Sequence, residues 1–297
     1  MYTQIASNKR KSILLVTVFV ILISLLGYTY SLATDQPGIF VAVSAFALIY
    51  SLISYRFSAN IALAIAGAHP IAKPDAPELY RLVENLSIAA GLPMPKVYII
   101  DDPSPNAFAT GRNPKSAVVA VTTGLLGLLE KEELEGVLAH ELSHVGNYDI
   151  RFMAIVMVLV TVVSLLSNFF LHMSWFGGND RREGGGNPVM AIVAIVASLL
   201  APLIAGLLQL AVSRKREYLA DASGALLTRY PEGLASALEK IAAAQEQRPL
   251  AHASTANAHM YFSNPLPSVG SFMASLFSTH PPAGERIKRL REMGSKV

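Results

Sequence analysis

Four stretches of the chain are long, apolar and free of charged side chains: Ile13 to Ala33, Gly38 to Tyr55, Phe152 to Phe170 and Val189 to Val212, of 21, 18, 19 and 24 residues. A helix rises about 1.5 Å per residue, so each reaches across a hydrocarbon layer of about 30 Å, the second only just. Buried helices of soluble proteins rarely run so far without a charge, and all four stretches therefore read as membrane spans. Pro202 and Gln209 lie in the fourth, which suits a helix packed against neighbours rather than one alone in lipid. Ser31-Leu32-Ala33 resembles a signal-peptidase site. The apolar run before it is longer than the roughly 7 to 15 residues of a signal-peptide core, so the first stretch reads as an uncleaved anchor.

Flanking charges give an orientation. Lys9, Arg10 and Lys11 precede the first span, Arg56 follows the second, and Arg214, Lys215 and Arg216 follow the fourth. The link around Asp35 has no basic residue, and after Phe170 the pair Arg181 and Arg182 is balanced by Asp180 and Glu183. By the positive-inside rule both chain ends are cytoplasmic, as are Met1 to Ser12, Arg56 to Arg151 and Ser213 to Val297. The expected organisation is a transmembrane hairpin over 1–55, the first part of a cytoplasmic domain over 56–151, a second hairpin over 152–212, and the rest of that domain over 213–297.

Composition narrows the chemistry. Charged residues are 15% of the chain and hydrophobic ones 52%, against roughly 25% charged in soluble domains, which excludes disorder. The net charge is only +3, and its basic residues flank apolar segments, so no nucleic-acid partner is implied. There is no cysteine. Any metal site must therefore be made of histidine and carboxylate.

In the cytoplasmic parts, Leu79, Leu82, Val83, Leu86 and Ala90 predict a helix over Asp75 to Gly91, and Lys96 to Ile100 and Ser116 to Thr122 read as short strands. Pro105 to Gly111 reads as an extended edge between them. Gly124 to about Val145 is helical again, with a charged turn at Glu130 to Glu133, while Gln245 to Thr279 reads as a long loop. The fold class is mainly α with a small β-sheet, in an integral membrane protein of about four spans.

The informative helix ends in His140-Glu141-Leu142-Ser143-His144. Histidines four apart share a helix face, so their imidazoles converge on one Zn²⁺ while the intervening carboxylate reaches a water beside it. Such an ion acidifies that water, and Glu141 accepts its proton as it attacks a carbonyl. A hydrolytic site needs a third protein ligand on the same side of the membrane. Glu217 and Asp221, four apart just after the fourth span, supply two carboxylates on one helix face. One can ligate the metal while the other accepts an N–H from a ligating imidazole. His144 lies 8 residues before Phe152 and Glu217 lies 5 after Val212, which puts the site on the order of 10 Å from the bilayer.

These stretches resemble the HtpX family of membrane-bound zinc metallopeptidases, relatives of the CAAX prenyl endopeptidases. The matching segments are Pro105 to Gly111, Val121 to Leu126, His140 to Ile150, Ser213 to Gly224 and Ser278 to Leu290, and the four-span layout fits as well. The resemblance implies a zincin-like, gluzincin-type catalytic domain and ATP-independent endoproteolysis of misfolded or damaged membrane proteins under stress, in a bacterial inner membrane. It implies one zinc per chain held by His140, His144 and Glu217, with Glu141 as base.

Asp221 then reads as the carboxylate behind a zinc-binding histidine, against a plain solvated helix residue. His280 and Arg286 could stabilise an oxyanion. Equally, Arg286 could pair with an acidic residue to hold the C-terminal helix. Asn106, Ala107, Phe108 and Ala109 would pair with substrate backbone as an edge strand. His172 lies across the membrane from the site, and His69, His252 and His259 have no partner at metal spacing. Trp175 with its neighbouring phenylalanines reads as an interfacial belt. The competing functions are a narrow-specificity peptidase of the CAAX type and a non-catalytic membrane scaffold. Neither substrates nor oligomeric state follows from the sequence.

Overall fold

The computed structural model describes residues 2–176, 206, 214–245, 250, 260–263 and 281–294. The chain begins with a helical hairpin, α1 (Tyr2–Thr34) and α2 (Pro37–Ile65). Pro37 opens α2, where a missing N–H costs nothing. Ile13, Leu14, Val18, Ile21 and Leu25 of α1 and Val41, Phe46, Ile49, Leu52 and Ile53 of α2 face outward. Apolar side chains on the outside suit lipid rather than water. Ala6–Thr29 and all of Pro37–Ile65 are long and apolar enough to cross a membrane.

Both helices overrun the apolar stretches that announced them. Nothing between Tyr2 and Ser12, or between Arg56 and Ile65, breaks a helix; the charges there mark where lipid contact ends, not where the helix does. The third apolar stretch lies in α6 (Asp149–Phe176), which packs against α1 and α2 and buries Phe152 to Val160 on all sides. The fourth lies outside the described residues except for position 206.

Between α2 and α6 the chain builds a sheet ordered β1-β2-β4-β3, from β1 (Ala68–Pro70), β2 (Lys96–Ile100), β3 (Ala107–Thr110) and β4 (Val118–Thr122). Only β2 and β4 run parallel. The connection between β1 and β2 carries α3 (Pro77–Ala90), which stops where Gly91 takes φ 65° and its N–H and that of Leu92 bond back to Ile88 and Ser87. Only glycine adopts that geometry without strain. After β4, Thr122 caps α4 (Thr123–Leu128) through Leu125 N–H at 3.1 Å. The charged turn then starts α5 (Lys131–Gly146), with Glu133 accepting the Glu130 N–H at 2.8 Å.

Of three further helices, α7 (Arg214–Thr228) and α8 (Pro231–Gln245) pack against α5, and α9 (Ala283–Gly294) packs against α7 and α8. One apolar core joins α1, α2 and α6 to the sheet; a second lies among α3, the sheet, α5, α8 and α9. Strand β1 and helix α8 add to the elements expected from the sequence. Of the stretch read as a loop, only Gln245, Leu250 and residues 260–263 are described.

Candidate metal centre

Helix α5 carries His140 and His144 one turn apart, and α7 crosses it to bring Glu217 opposite. The crossing is close because residue 224 is glycine: a Cβ there would lie 3.0 Å from the backbone nitrogen of His140. His140 Nε2 and His144 Nε2 are 3.2 Å apart. Glu217 Oε2 is 3.7 Å from the first and Oε1 is 3.5 Å from the second. All three side chains are buried, and among the described residues they form a set whose donor atoms lie within 4.8 Å of one another. A tetrahedral ion with bonds of about 2.0–2.2 Å needs its donors roughly 3.3–3.5 Å apart, so this set fits a metal of zinc's size and ligand taste.

Both imidazoles are held from behind. His140 Nδ1 is 2.9 Å from Asp221 Oδ1, and His144 Nδ1 is 3.1 Å from Asp149 Oδ2. A carboxylate that accepts a hydrogen bond from Nδ1–H keeps the proton on that nitrogen and leaves the Nε2 lone pair free for a cation. Burial drives His140 down to about 4 despite Asp221. Burial opposes charge on His144 too, yet Asp149 and Glu217 push it up to about 9. Glu141, also buried, is pushed up to about 7 by burial, with Glu217 adding to the shift, His144 opposing it and an Ala109 N–H bond lowering it. That value suits a group that must both take and release a proton near neutrality.

Arg286, from α9, reaches this layer and is 2% exposed. Its Nε and Nη2 lie 2.9 and 2.7 Å from the two oxygens of Asp221, and its Nη1 donates to the Phe262 carbonyl at 3.3 Å. Against the pull of burial, Arg286 and His140 hold the Asp221 carboxyl down at about 2. Of the alternatives open in the sequence, this geometry favours pairing over an oxyanion role for Arg286. His280, His252 and His259 lie outside the described residues. His69 is on β1 beside Asp101, outside the cluster, and His172 falls within α6.

The edge strand differs from its expectation. Strand β3 does end the sheet, and in an antiparallel pair alternate residues turn their backbone groups outward. Here Ala107 and Ala109 do so. But the Ala107 carbonyl accepts the Phe262 N–H at 2.8 Å, Ala107 N–H is held by the Asn106 side chain at 3.0 Å, and Asn106 Nδ2 donates to the Ser263 carbonyl at 3.0 Å. Phe108 stacks edge-on against Tyr261. The Asn106–Ala107 end of the edge is therefore covered by residues 261–263, and all four residues of β3 are buried. A loop without periodicity gave no sign of this.

Sequence reasoning also missed Asp149. It lies five residues after His144 and beyond the α5–α6 corner, where the axis turns by 82° and Tyr148 takes φ 61°. No helical spacing links it to the histidine.

A buried His–His–Glu donor set beside a carboxylate and a strand edge, on a body carrying two membrane-length helices, defines a membrane-associated metallopeptidase. The family model described as peptidase family M48 matches residues 73–294. The chain belongs to that family. It is 50% identical to a protein described as "Protease HtpX homolog" from Tropheryma whipplei (strain TW08/27), over 100% of this chain and 99% of that one. It is 47% identical to a protein of the same description from Lactobacillus helveticus (strain DPC 4571), over 99% of this chain and 100% of that one. Among solved structures, the crystal structure of S. mikatae Ste24p is similar in fold, with a TM-score of 0.53 at 21% identity, covering 98% of this chain and 67% of that one.

Proposed function

We propose that the chain is a zinc-dependent endopeptidase that hydrolyses peptide bonds of misfolded or damaged membrane proteins at the cytoplasmic face of a bacterial membrane. The observation that carries this reading is the orientation of the two imidazoles. Each is anchored at Nδ1 by a buried carboxylate and turns Nε2 toward the other and toward Glu217.

In this reading His140, His144 and Glu217 hold one zinc ion, which supplies acidification of a water and polarisation of the scissile carbonyl. Glu141 takes the proton of the attacking water and delivers it to the departing amine. Ala109 N–H orients the Glu141 carboxylate, and burial keeps bulk water from competing. Asp221 and Asp149 fix the imidazole planes, and Arg286 keeps Asp221 ionised. Substrate backbone pairs with β3 through the Ala109 carbonyl, and at Ala107 once residues 261–263 withdraw, while Asn106 and Phe108, whose backbone groups face β4, flank it. His280 is a further candidate for stabilising the oxyanion.

Four spans divide the chain into hairpins over 1–55 and 152–212 and a zincin-like, gluzincin-type domain built from 56–151 and 213–297. The contact of Asn8 with Asp149 at 2.7 Å supports this sidedness, since it sets the centre at the basic, N-terminal end of α1. The resemblance to the HtpX family supports a role in stress-induced quality control. The test is zinc content and casein cleavage by detergent-purified wild type and Glu141→Ala. About one zinc per chain in both, with cleavage in the wild type alone, supports the proposal; no zinc in either, or cleavage by both, overturns it.

A further inference from the structure

Asn8 has no part in the reading above, yet it is buried at 2% exposure while Lys9 and Arg10 beside it are exposed. It sits on α1 just before the charge-free stretch. Its Nδ2 is 2.7 Å from Asp149 Oδ1 and 3.1 Å from the Asn147 carbonyl. Both partners only accept, so the amide presents its NH2 group and uses both hydrogens. The other oxygen of Asp149 is the one that holds His144 Nδ1. A continuous path of hydrogen bonds therefore runs from α1 through one carboxylate to a metal-ligand imidazole.

The surroundings explain why such a brace is needed. Asp149 follows a corner whose middle residue, Tyr148, is in the left-handed region, where a non-glycine residue is strained. A carboxylate held through one oxygen still rotates about its Cβ–Cγ bond. Fixing Oδ1 fixes the direction of Oδ2 and with it the His144 ring. Arg216 Nε is 3.8 Å from the same Oδ1, which gives charge balance but not a hydrogen bond. Asn8 supplies that bond without a second charge. One residue on, Lys9 Nζ lies 4.7 Å over the Tyr148 ring, so the start of α1 grips the corner at two points.

We propose that Asn8 is a positioning residue of the metal centre: by holding Asp149 it orients His144, and tight metal binding requires the N-terminal end of α1 to be docked on the α5–α6 corner. This inference rests on the metal-binding reading of His140, His144 and Glu217.

The experiment measures zinc affinity by competition with a chromophoric chelator, using the full-length chain in detergent. Wild type, Asn8→Leu, Asn8→Asp, Asp149→Asn, Asn8→Leu/Asp149→Asn and Lys9→Ala are compared, each with its metal-free melting temperature. Both Asn8 variants are expected to bind zinc about tenfold more weakly, the lower end of what loss of such outer partners causes, with melting unchanged. Adding Asn8→Leu to Asp149→Asn should cause no further loss, because the path is already cut. If Asn8→Leu fails to fold, Asn8→Asp decides, since it keeps the size and sets a second acceptor against Asp149. Undiminished affinity in the Asn8 variants or a full further loss in the double variant overturns the inference, while any loss in Lys9→Ala reports the second grip of α1 on the corner and supports the docking requirement. No zinc in the wild type removes the metal-centre reading and this inference with it. Zinc bound by the wild type and equally by the Asn8 variants removes this inference alone.

Discussion

Arg286 grips both oxygens of Asp221, at 2.9 and 2.7 Å, while Asp221 Oδ1 also holds His140 at 2.9 Å. The C-terminal helix is thus tied to the metal centre through a buried ion pair. Removing one partner of such a pair strands the other charge, at a cost of about 3–5 kcal/mol. Arg286→Leu should therefore melt well below the wild type, and Arg286→Leu/Asp221→Leu should lose less than the sum of its two single variants. Calorimetry of the metal-free protein measures this; strict additivity would show that the pair does not act as a unit.

Glu141 and Glu217 should separate cleanly in their effects. Glu141→Gln keeps the metal and lowers kcat by about 10²–10⁴-fold with KM little changed, as expected for loss of a general base. Glu217→Ala loses tight zinc binding, and activity goes with it. Metal analysis after dialysis, alongside steady-state kinetics, checks both; Glu141→Gln protein that purifies without zinc would contradict the assignment.

The pH dependence of stability has a marker far from the metal. Glu133 is bonded to Lys240 Nζ at 2.8 Å, Ser236 Oγ at 2.6 Å and the Glu130 N–H at 2.8 Å. Burial works to raise its pKa, but these partners together hold it below the usual carboxylate range. A depressed folded value means that the stabilisation is complete above the unfolded value, near 4.3, and is lost as pH falls through the folded one. Glu133→Gln should thus cost about 1 kcal/mol at pH 7, in the range of a partly exposed pair, and the difference should shrink below about pH 4. Thermal melts in chelator across this range test it, and a constant gap would speak against an ionic contribution.

Gly224 sets the distance between α7 and α5. With a Cβ only 3.0 Å from the His140 backbone nitrogen, Gly224→Ala must push the helices apart by a few tenths of an ångström, and Gly224→Val by more. Overpacking of this kind costs about 1–3 kcal/mol. Because Glu217 rides on α7, zinc affinity should fall in the order glycine, alanine, valine. A chelator titration that finds the three equal would show that the crossing has room to give.

How much of this was legible depends on whether the signal was local. His140, Glu141 and His144 follow from helical spacing, and Glu217 from the expectation, drawn from flanking charge, that the chain returns to the same side of the membrane. Asp149 and Asn8 do not, because their partners are made by tertiary packing across a corner and across 141 residues. The covering of β3 by residues 261–263 was hidden for the same reason. In the N-terminal hairpin the helices continue beyond the apolar runs, because a charged side chain limits a span without ending a helix.

The placement of Arg286 has a consequence for timing. It lies 69 residues after Glu217, and the chain is made from its N-terminus at about 5–20 residues per second, so the ribosome delivers the last ligand roughly 3 to 14 seconds before the side chain that locks Asp221. Asn8 is there from the start, but α9 is not. A newly made copy therefore reaches its working geometry only after every helix described before α9 has been synthesised.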